Sequence, residues 1–88
     1  MSRIVEIMPN DNRKSFYGKA FAILEGDGRI LLQSYSTIVG EITVSGEFIR
    51  HWWGYSATTM RHVNAFLATF GVAGGGKAWW DAQPVKPV

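Results

Sequence analysis

The fold is decided at residues 56–71, which read SATTMRHVNAFLATFG. Four apolar residues recur there at helical spacing and form one stripe: Met60, Val63, Leu67 and Phe70. Ser56 is a good N-cap because its hydroxyl can accept a hydrogen bond from a first-turn N–H, and Gly71 favours the left-handed end of a helix. The pattern therefore predicts one amphipathic helix, with His62 away from the apolar stripe.

The chain before this helix has the alternation and turn residues of antiparallel strands. Four strands are predicted, at residues 3–8, 15–25, 29–44 and 47–53. The stretches Gly26-Asp27-Gly28 and Ser45-Gly46 are typical of hairpin turns, because glycine reaches positive φ without steric cost. Gly40 is predicted to kink the long third strand.

These elements predict an α+β fold in which a four-stranded antiparallel meander packs against one helix in two layers. The 88 residues suffice for a single domain over 1–88, with a frayed tail at 84–88. One helix covers only one face of the sheet. The other face carries Tyr17, Phe21 and Tyr35, so it is predicted to be solvated or to meet another copy, and we expect a homo-oligomer.

Composition narrows the class of protein. Apolar residues are 47% and charged residues 18% of the chain, which is an ordinary globular balance. A net charge of +2 is too weak to argue for binding to duplex DNA. The chain has no cysteine, which excludes disulfides and thiol catalysis. We expect a soluble, cytoplasmic protein without a membrane partner, because no apolar run has the length of a signal peptide or a membrane span.

Residues 71–77, Gly-Val-Ala-Gly-Gly-Gly-Lys, nearly spell a phosphate-binding P-loop. The next residue should be Ser or Thr to bind Mg²⁺, but it is Ala78, and the loop follows a helix instead of a strand. A nucleotide hydrolase is therefore not predicted. The backbone amides and Lys77 could still hold an anion while Trp79 or Trp80 stacks on a base. Alternatively, the glycines only end the helix and connect it, with one Trp in the core.

The start of the helix is a second candidate anion site. Ser56, Thr58 and Thr59 supply hydroxyls next to the unpaired N–H groups of the first turn, and Arg61 adds positive charge. The alternative is that Ser56 only caps the helix while the threonines bond locally. Just before this point, strand alternation places Arg50 and Trp52 on one side and His51 and Trp53 on the other. One of these pairs is expected to form a basic, aromatic corner near the helix start; the alternative is that one Trp belongs to the core and the other to an interface.

The two histidines, His51 and His62, are too few for a zinc site, so no metal is predicted. His62 is expected to form a hydrogen bond with a polar group of a ligand. No catalytic set emerges from the spacing of Ser, His and acidic residues, and we expect neither an enzyme nor a cofactor.

The segment Tyr55-Ser-Ala-Thr-Thr-Met-Arg-His62, followed by Asn64-Ala-Phe66, resembles a family of short, largely uncharacterised proteins from bacteriophages and Gram-positive bacteria. The resemblance extends to residues 34–37 and to Gly18-Lys19. It implies a phage setting, in which counter-defence or host takeover is a plausible role. Small phage proteins that sequester host signalling nucleotides offer an analogy of context for this chain.

The leading hypothesis is a non-enzymatic phage accessory protein that binds or sequesters a nucleotide-like or other phosphorylated ligand. The helix start and the lysine-bearing loop would face one crevice edged by indole rings. The candidate ligand-binding residues are Arg50, Trp52, Ser56, Thr58, Thr59, Arg61, His62, Lys77, Trp79 and Trp80. The alternative is an inhibitor or adaptor that contacts a host defence protein through an exposed aromatic sheet face. Binding of single-stranded nucleic acid is a third hypothesis.

Overall fold

The computed structural model describes residues 2–9 and 18–87. Five antiparallel strands follow one another in the sheet in chain order. The strands are β1 Arg3–Glu6, β2 Ala20–Leu24, β3 Ile30–Ser34, β4 Thr37–Ile42 and β5 Phe48–Arg50. They are followed by α1 Ala57–Phe70 and α2 Lys77–Ala82. The predicted α+β class and antiparallel meander are confirmed. Residues 15–17 of the predicted second strand, Tyr17 among them, lie outside the described residues.

The prediction of four strands is wrong because residues 29–44 form a hairpin instead of one long strand. Ser34 pairs with Thr37, so Tyr35 and Ser36 make a two-residue turn. Tyr35 has a φ of 55°, a conformation for which glycine is the usual residue. The amide of Gln33 supports the turn by donating to the carbonyl of Tyr35 at 2.8 Å. Neither residue of this turn is glycine, so the sequence pattern predicts one continuous strand here.

Gly40 lies inside β4, where a close approach requires it. A Cβ at this position would lie 2.3 Å from Cζ of Phe48 and 2.8 Å from the carbonyl oxygen of Ile49. Any larger residue would push β5 away from β4, because real Cβ atoms do not approach backbone atoms this closely. The glycine therefore allows Phe48 to lie across the sheet toward the helices.

The helix α1 begins and ends as predicted. The Ser56 hydroxyl accepts from the N–H of Thr59 at 3.0 Å, and Gly71 closes the helix with a φ of 69°. The position of His62 was predicted wrongly, since its side chain is fully buried. The helix buries a face wider than the apolar stripe, and His62 is accommodated because the Ser34 hydroxyl lies 2.7 Å from its Nδ1.

The core lies between α1, α2 and one face of the sheet. Its largest fully buried side chains include Trp80 from α2, Phe66 from α1 and Leu32 from β3. The short helix α2, which the sequence left open between a strand and a helical turn, thus contributes a large aromatic to the core. Neither α1 nor α2 is long and apolar enough to cross a membrane, within the part of the chain that is described.

The chain after α2 returns to β5. Val85 forms a parallel bridge with Arg50, and the N–H of Lys86 donates to the carbonyl of Arg50 at 2.8 Å. The ring of His51 joins this segment to β4. Its Nδ1 lies 2.5 Å from the carbonyl oxygen of Lys86, and its Nε2 lies 2.8 Å from Oε1 of Glu41. The segment 84–87, for which the sequence predicts a frayed tail, is therefore attached at the edge of the sheet.

Candidate functional site: the glycine-loop cleft

Residues 71–76, which we call the glycine loop, run back along α1 after it ends. The side chain of Asn64 holds the loop, because its Oδ1 accepts from the N–H of Gly76 at 3.1 Å. Loop and helix enclose an open cleft of about 500 Å³. The lining residues are Asn64, Leu67, Ala68, Val72, Ala73, Gly74, Gly75 and Gly76.

Three consecutive residues of the loop need to be glycine. Gly74, Gly75 and Gly76 have φ values of 134°, 111° and 86°, which residues with a side chain rarely adopt. A Cβ at Gly74 would lie 2.5 Å from Cε2 of Trp79, and one at Gly75 would lie 2.7 Å from Oδ1 of Asn64. The glycines therefore do more than connect two helices, since they bring bare backbone to the wall of the cleft.

The residues that line the cleft carry hydrogen-bond donors. The N–H groups of Ala73, Gly74 and Gly75 have no hydrogen-bond partner among the described residues. The Asn64 side chain uses its oxygen to hold the loop, which leaves its NH₂ group as a further donor. No carboxylate lies among the lining residues to repel negative charge. Chemically, this wall is suited to a ligand with several acceptor oxygens.

Lys77 is the residue directly after the glycine loop, and it is the cationic residue nearest to the loop in the sequence. Its Nζ lies 2.6 Å from Oδ2 of Asp81, and its side chain is 60% exposed. This hydrogen bond to Asp81 raises the pKa of Lys77 above its usual value, so the amine stays charged. Because an exposed ion pair contributes little to stability, Lys77 can exchange Asp81 for a ligand at small cost.

The two tryptophans of α2 support the loop from behind. Trp80 is 1% exposed and donates from Nε1 to the carbonyl of Gly54 at 2.9 Å. Trp79 is half-buried, with its ring centroid 5.1 Å from that of Phe48 and its indole against Gly74. The Trp80 ring is therefore not accessible to a ligand, whereas Trp79 positions the backbone of the glycine loop.

Arg50 is buried and its donors are engaged by the protein. Its guanidinium carbon lies 4.3 Å from the ring centroid of Trp80, in a cation–π contact. Its side chain also donates to four backbone carbonyls, those of Trp52 at 2.8 Å, Trp53 at 2.6 Å, Gly54 at 3.3 Å and Trp80 at 2.9 Å. Arg50 therefore attaches the segment before α1 to α2 and is not offered to an anion.

The start of α1 and Lys77 lie close together, but the crevice between them is filled. Lys77 Nζ is 5.1 Å from the ring centroid of Tyr55, which precedes the N-cap Ser56. The gap there has no room for a water molecule. It is lined by Trp52, Tyr55, Ser56, Thr59, Met60, Val63 and Trp80.

The remaining residues of the helix start divide between the core and the surface. Thr59 is buried, with its hydroxyl 3.4 Å from that of Ser34, whereas Thr58 is exposed and Arg61 is half-buried. The structure thus brings Ser56, Trp52 and Trp80 together in packing, and it separates them from the open cleft at the glycine loop.

Burial lowers the pKa of His62 below its usual value of 6.5, and the charges of Arg61 and Lys19 lower it further. We expect stability to be unaffected by this group above pH 6.5 and to decrease as the pH falls toward the folded-state pKa, because only the unfolded chain then binds the proton. The slope cannot exceed about 1.4 kcal/mol per pH unit for one proton. Urea unfolding between about pH 7.5 and about pH 5 measures it.

The control for this prediction is His62→Gln, which removes the titrating group from the site. The two proteins differ only at this position, so the difference between their slopes isolates the contribution of His62. Equal slopes in the wild type and the variant would contradict the prediction.

Sequence reasoning missed most of the cleft wall. Asn64, Leu67 and Ala68 have the i, i+3, i+4 spacing of one helix face, and this face lies next to a loop that follows the same helix. That spacing was the available signal, although only the backward course of the loop turns it into a site. Within the described residues, no three His, Asp or Glu side chains are grouped closely enough to hold a metal ion.

Comparison with known proteins gives one match, and it includes the residues of this cleft. No curated protein and no solved structure matches the chain. The model of one family matches residues 4–82. This span contains both helices, the glycine loop and the five strands, of which only the first residue of β1 lies outside it. The chain therefore belongs to the Family of unknown function (DUF8033).

Proposed function

We propose that this protein is a non-enzymatic binding protein that holds a nucleotide-like or other phosphorylated ligand in the cleft between the glycine loop and α1. One observation carries the proposal. Residues 73–75 line a cleft of about 500 Å³, their backbone N–H groups have no hydrogen-bond partner in the described part of the chain, and no acidic residue is among the lining residues. Backbone amides brought close to a ligand by glycine are a recurrent means of binding phosphate.

The size and polarity of the cleft fit this ligand class. Small-molecule sites occupy roughly 300–1,000 Å³ and combine apolar walls with a few polar groups. Leu67 and Val72 provide an apolar wall for a base or sugar, while Asn64 and the loop amides provide donors for phosphate oxygens. Lys77 would add a charge-assisted hydrogen bond once it leaves Asp81.

The lining of the cleft supports binding without a reaction. None of the lining residues has a side chain that titrates or that could act as a nucleophile. We further propose a phage accessory role in the cytoplasm of the host, in which the protein sequesters a signalling nucleotide. This part of the proposal rests on the resemblance of the helix-start segment to phage proteins.

A thermal-shift panel of nucleotides and inorganic phosphate tests the proposal. We expect at least one phosphorylated compound to stabilise the wild type, by about 2.7 kcal/mol when it is present at 100 times its Kd. The variant Ala68→Trp fills the cleft from an exposed helix position, so it should lose this stabilisation. The matched variant Thr58→Trp carries the same ring on an exposed site of α1 outside the cleft and should keep it.

The two variants also separate the competing sites. If Thr58→Trp loses the stabilisation and Ala68→Trp keeps it, the ligand binds at the start of α1 and not in the cleft. If no phosphorylated compound stabilises the wild type, the proposal fails.

One observation favours a protein partner as a second candidate function. Trp53 is 78% exposed, although its backbone is held in place because its carbonyl oxygen accepts a hydrogen bond from Nη2 of Arg50 at 2.6 Å. A large exposed aromatic on a segment held in place is typical of an interface anchor. An inhibitor or adaptor that contacts a host defence protein would lose its partner in Trp53→Ala and keep it in Ala68→Trp, as measured by pull-down with that protein.

A further inference from the structure

The two edges of the sheet differ in how they are covered. On the β5 side, Val85 forms a bridge with Arg50 and the N–H of Lys86 donates to the same residue. On the other side, β1 pairs only with β2 among the described residues. Such an open edge is a template for pairing with another strand.

The register identifies the backbone groups that face outward from β1. The N–H of Ile7 donates to the carbonyl of Ala20 at 2.9 Å, in the register that places Val5 opposite Ala22. Hydrogen-bonded pairs alternate along antiparallel strands, so the backbone groups of Val5 also face β2. The N–H and C=O groups of Ile4 and Glu6 therefore point away from the sheet.

The side chains of the open edge are apolar at its centre. Ile4 is 66% exposed and Val5 is 40% exposed. Ile4 lies opposite Ile23, and Ile23 lies opposite Leu31. These three residues alternate with Val5, Ala22 and Leu32, so they lie on the face of the sheet away from the core. An apolar row thus begins at the open edge and runs into the sheet.

This edge is complementary to itself. A two-fold axis that places Ile4 opposite Ile4 of a second copy would join the two apolar rows on the same face. In that register, Arg3 lies opposite Val5 of the other copy and Glu6 lies opposite Ser2, so no like charges face each other. A shift that placed Arg3 opposite Arg3, or Glu6 opposite Glu6, would be destabilising.

We infer that β1 is a dimerisation edge, which pairs antiparallel with β1 of a second copy and joins the two five-stranded sheets into one. This inference is independent of the ligand proposed for the cleft, because β1 contributes no residue to the cleft lining.

Sedimentation equilibrium of the full chain and its variants tests the edge. We expect the wild type to reach twice the 9.8 kDa mass of the monomer. Ile4→Pro removes an outward-facing N–H, which an edge strand tolerates, and should raise the dimer Kd by at least about tenfold. Ile4→Lys should do the same, whereas Val44→Lys, at a site that is 70% exposed, should leave the dimer intact.

Circular dichroism shows whether each variant is folded. If Ile4→Pro does not fold, the dimer Kd of Ile4→Lys provides the test of the edge. A wild type that is monomeric at roughly 1 mM would overturn the inference. A dimer that survives Ile4→Lys would also overturn it, because the copies would then meet at another surface.

Discussion

Replacing Arg50 with alanine is expected to lower the free energy of unfolding by about 3–5 kcal/mol. The guanidinium is buried and donates to the carbonyls of Trp53 and Trp80, among others. Alanine would leave the carbonyls of Trp52 and Trp53 without a donor from the described residues, whereas the carbonyl of Trp80 would keep the N–H of Gln83. An acceptor that loses its donor away from water costs about 1–3 kcal/mol. Urea unfolding followed by tryptophan fluorescence measures the change.

The matched control is Arg29→Ala. Arg29 is partly exposed, and its ion pair with Asp27 lies at the surface. Its guanidinium also lies 3.6 Å from the buried carboxylate of Glu41, which keeps His51 as a partner at 2.8 Å, so we expect a much smaller loss of stability than for Arg50→Ala. Arg50→Lys should recover only a small part of the loss, because one ammonium cannot reach the carbonyls that the planar guanidinium spans. An Arg50→Ala variant as stable as Arg29→Ala would show that Arg50 does not attach the segment before α1 to α2.

Replacing Trp80 with alanine is the second large effect, with an expected loss of about 3–5 kcal/mol. The side chain is 1% exposed, it stacks under Arg50, and its Nε1 donates to the carbonyl of Gly54. Removal creates a cavity in the core and leaves that carbonyl without its indole donor. Thermal unfolding followed by circular dichroism measures the loss.

Trp53→Ala is the control, since it removes the same side chain from a site that is 78% exposed. We expect a change within about 0.5 kcal/mol there. Trp80 anchors α2, and α2 follows the glycine loop. Trp80→Ala should therefore also lower the affinity of the cleft for its ligand. Equal stability of the two variants would contradict the placement of Trp80 in the core.

Local chemistry made the helix and two of the hairpins predictable. Ser56 and Gly71 mark the ends of α1 by capping, and Gly28 and Gly46 have the positive φ values expected in their turns. The hairpin at Tyr35 could not be predicted this way. Its positive φ is imposed by the pairing of the strands on either side and not by the intrinsic preference of tyrosine.

The site was less predictable than the fold. Arg50, His62 and Trp80 belong to residue types that bind nucleotides, but the same chemistry also satisfies buried carbonyls, a buried hydroxyl and the core. Which role applies depends on where the strands and α2 place each side chain, and the local spacing of these residues in the sequence does not show that placement. The glycine loop was recognisable because three successive glycines are costly to order without a reason.

The most direct test of the proposed cleft is an amide chemical-shift titration of the ¹⁵N-labelled chain. Adenosine and guanosine phosphates, cyclic dinucleotides and inorganic phosphate are the ligands to add. The proposed function requires that a bound compound shift the backbone amides of Ala73, Gly74 and Gly75 and the side-chain amide of Asn64, and that Ala68→Trp abolish these shifts. Saturating shifts confined to Ser56 and Thr58, or no saturable shift with any compound, would contradict it.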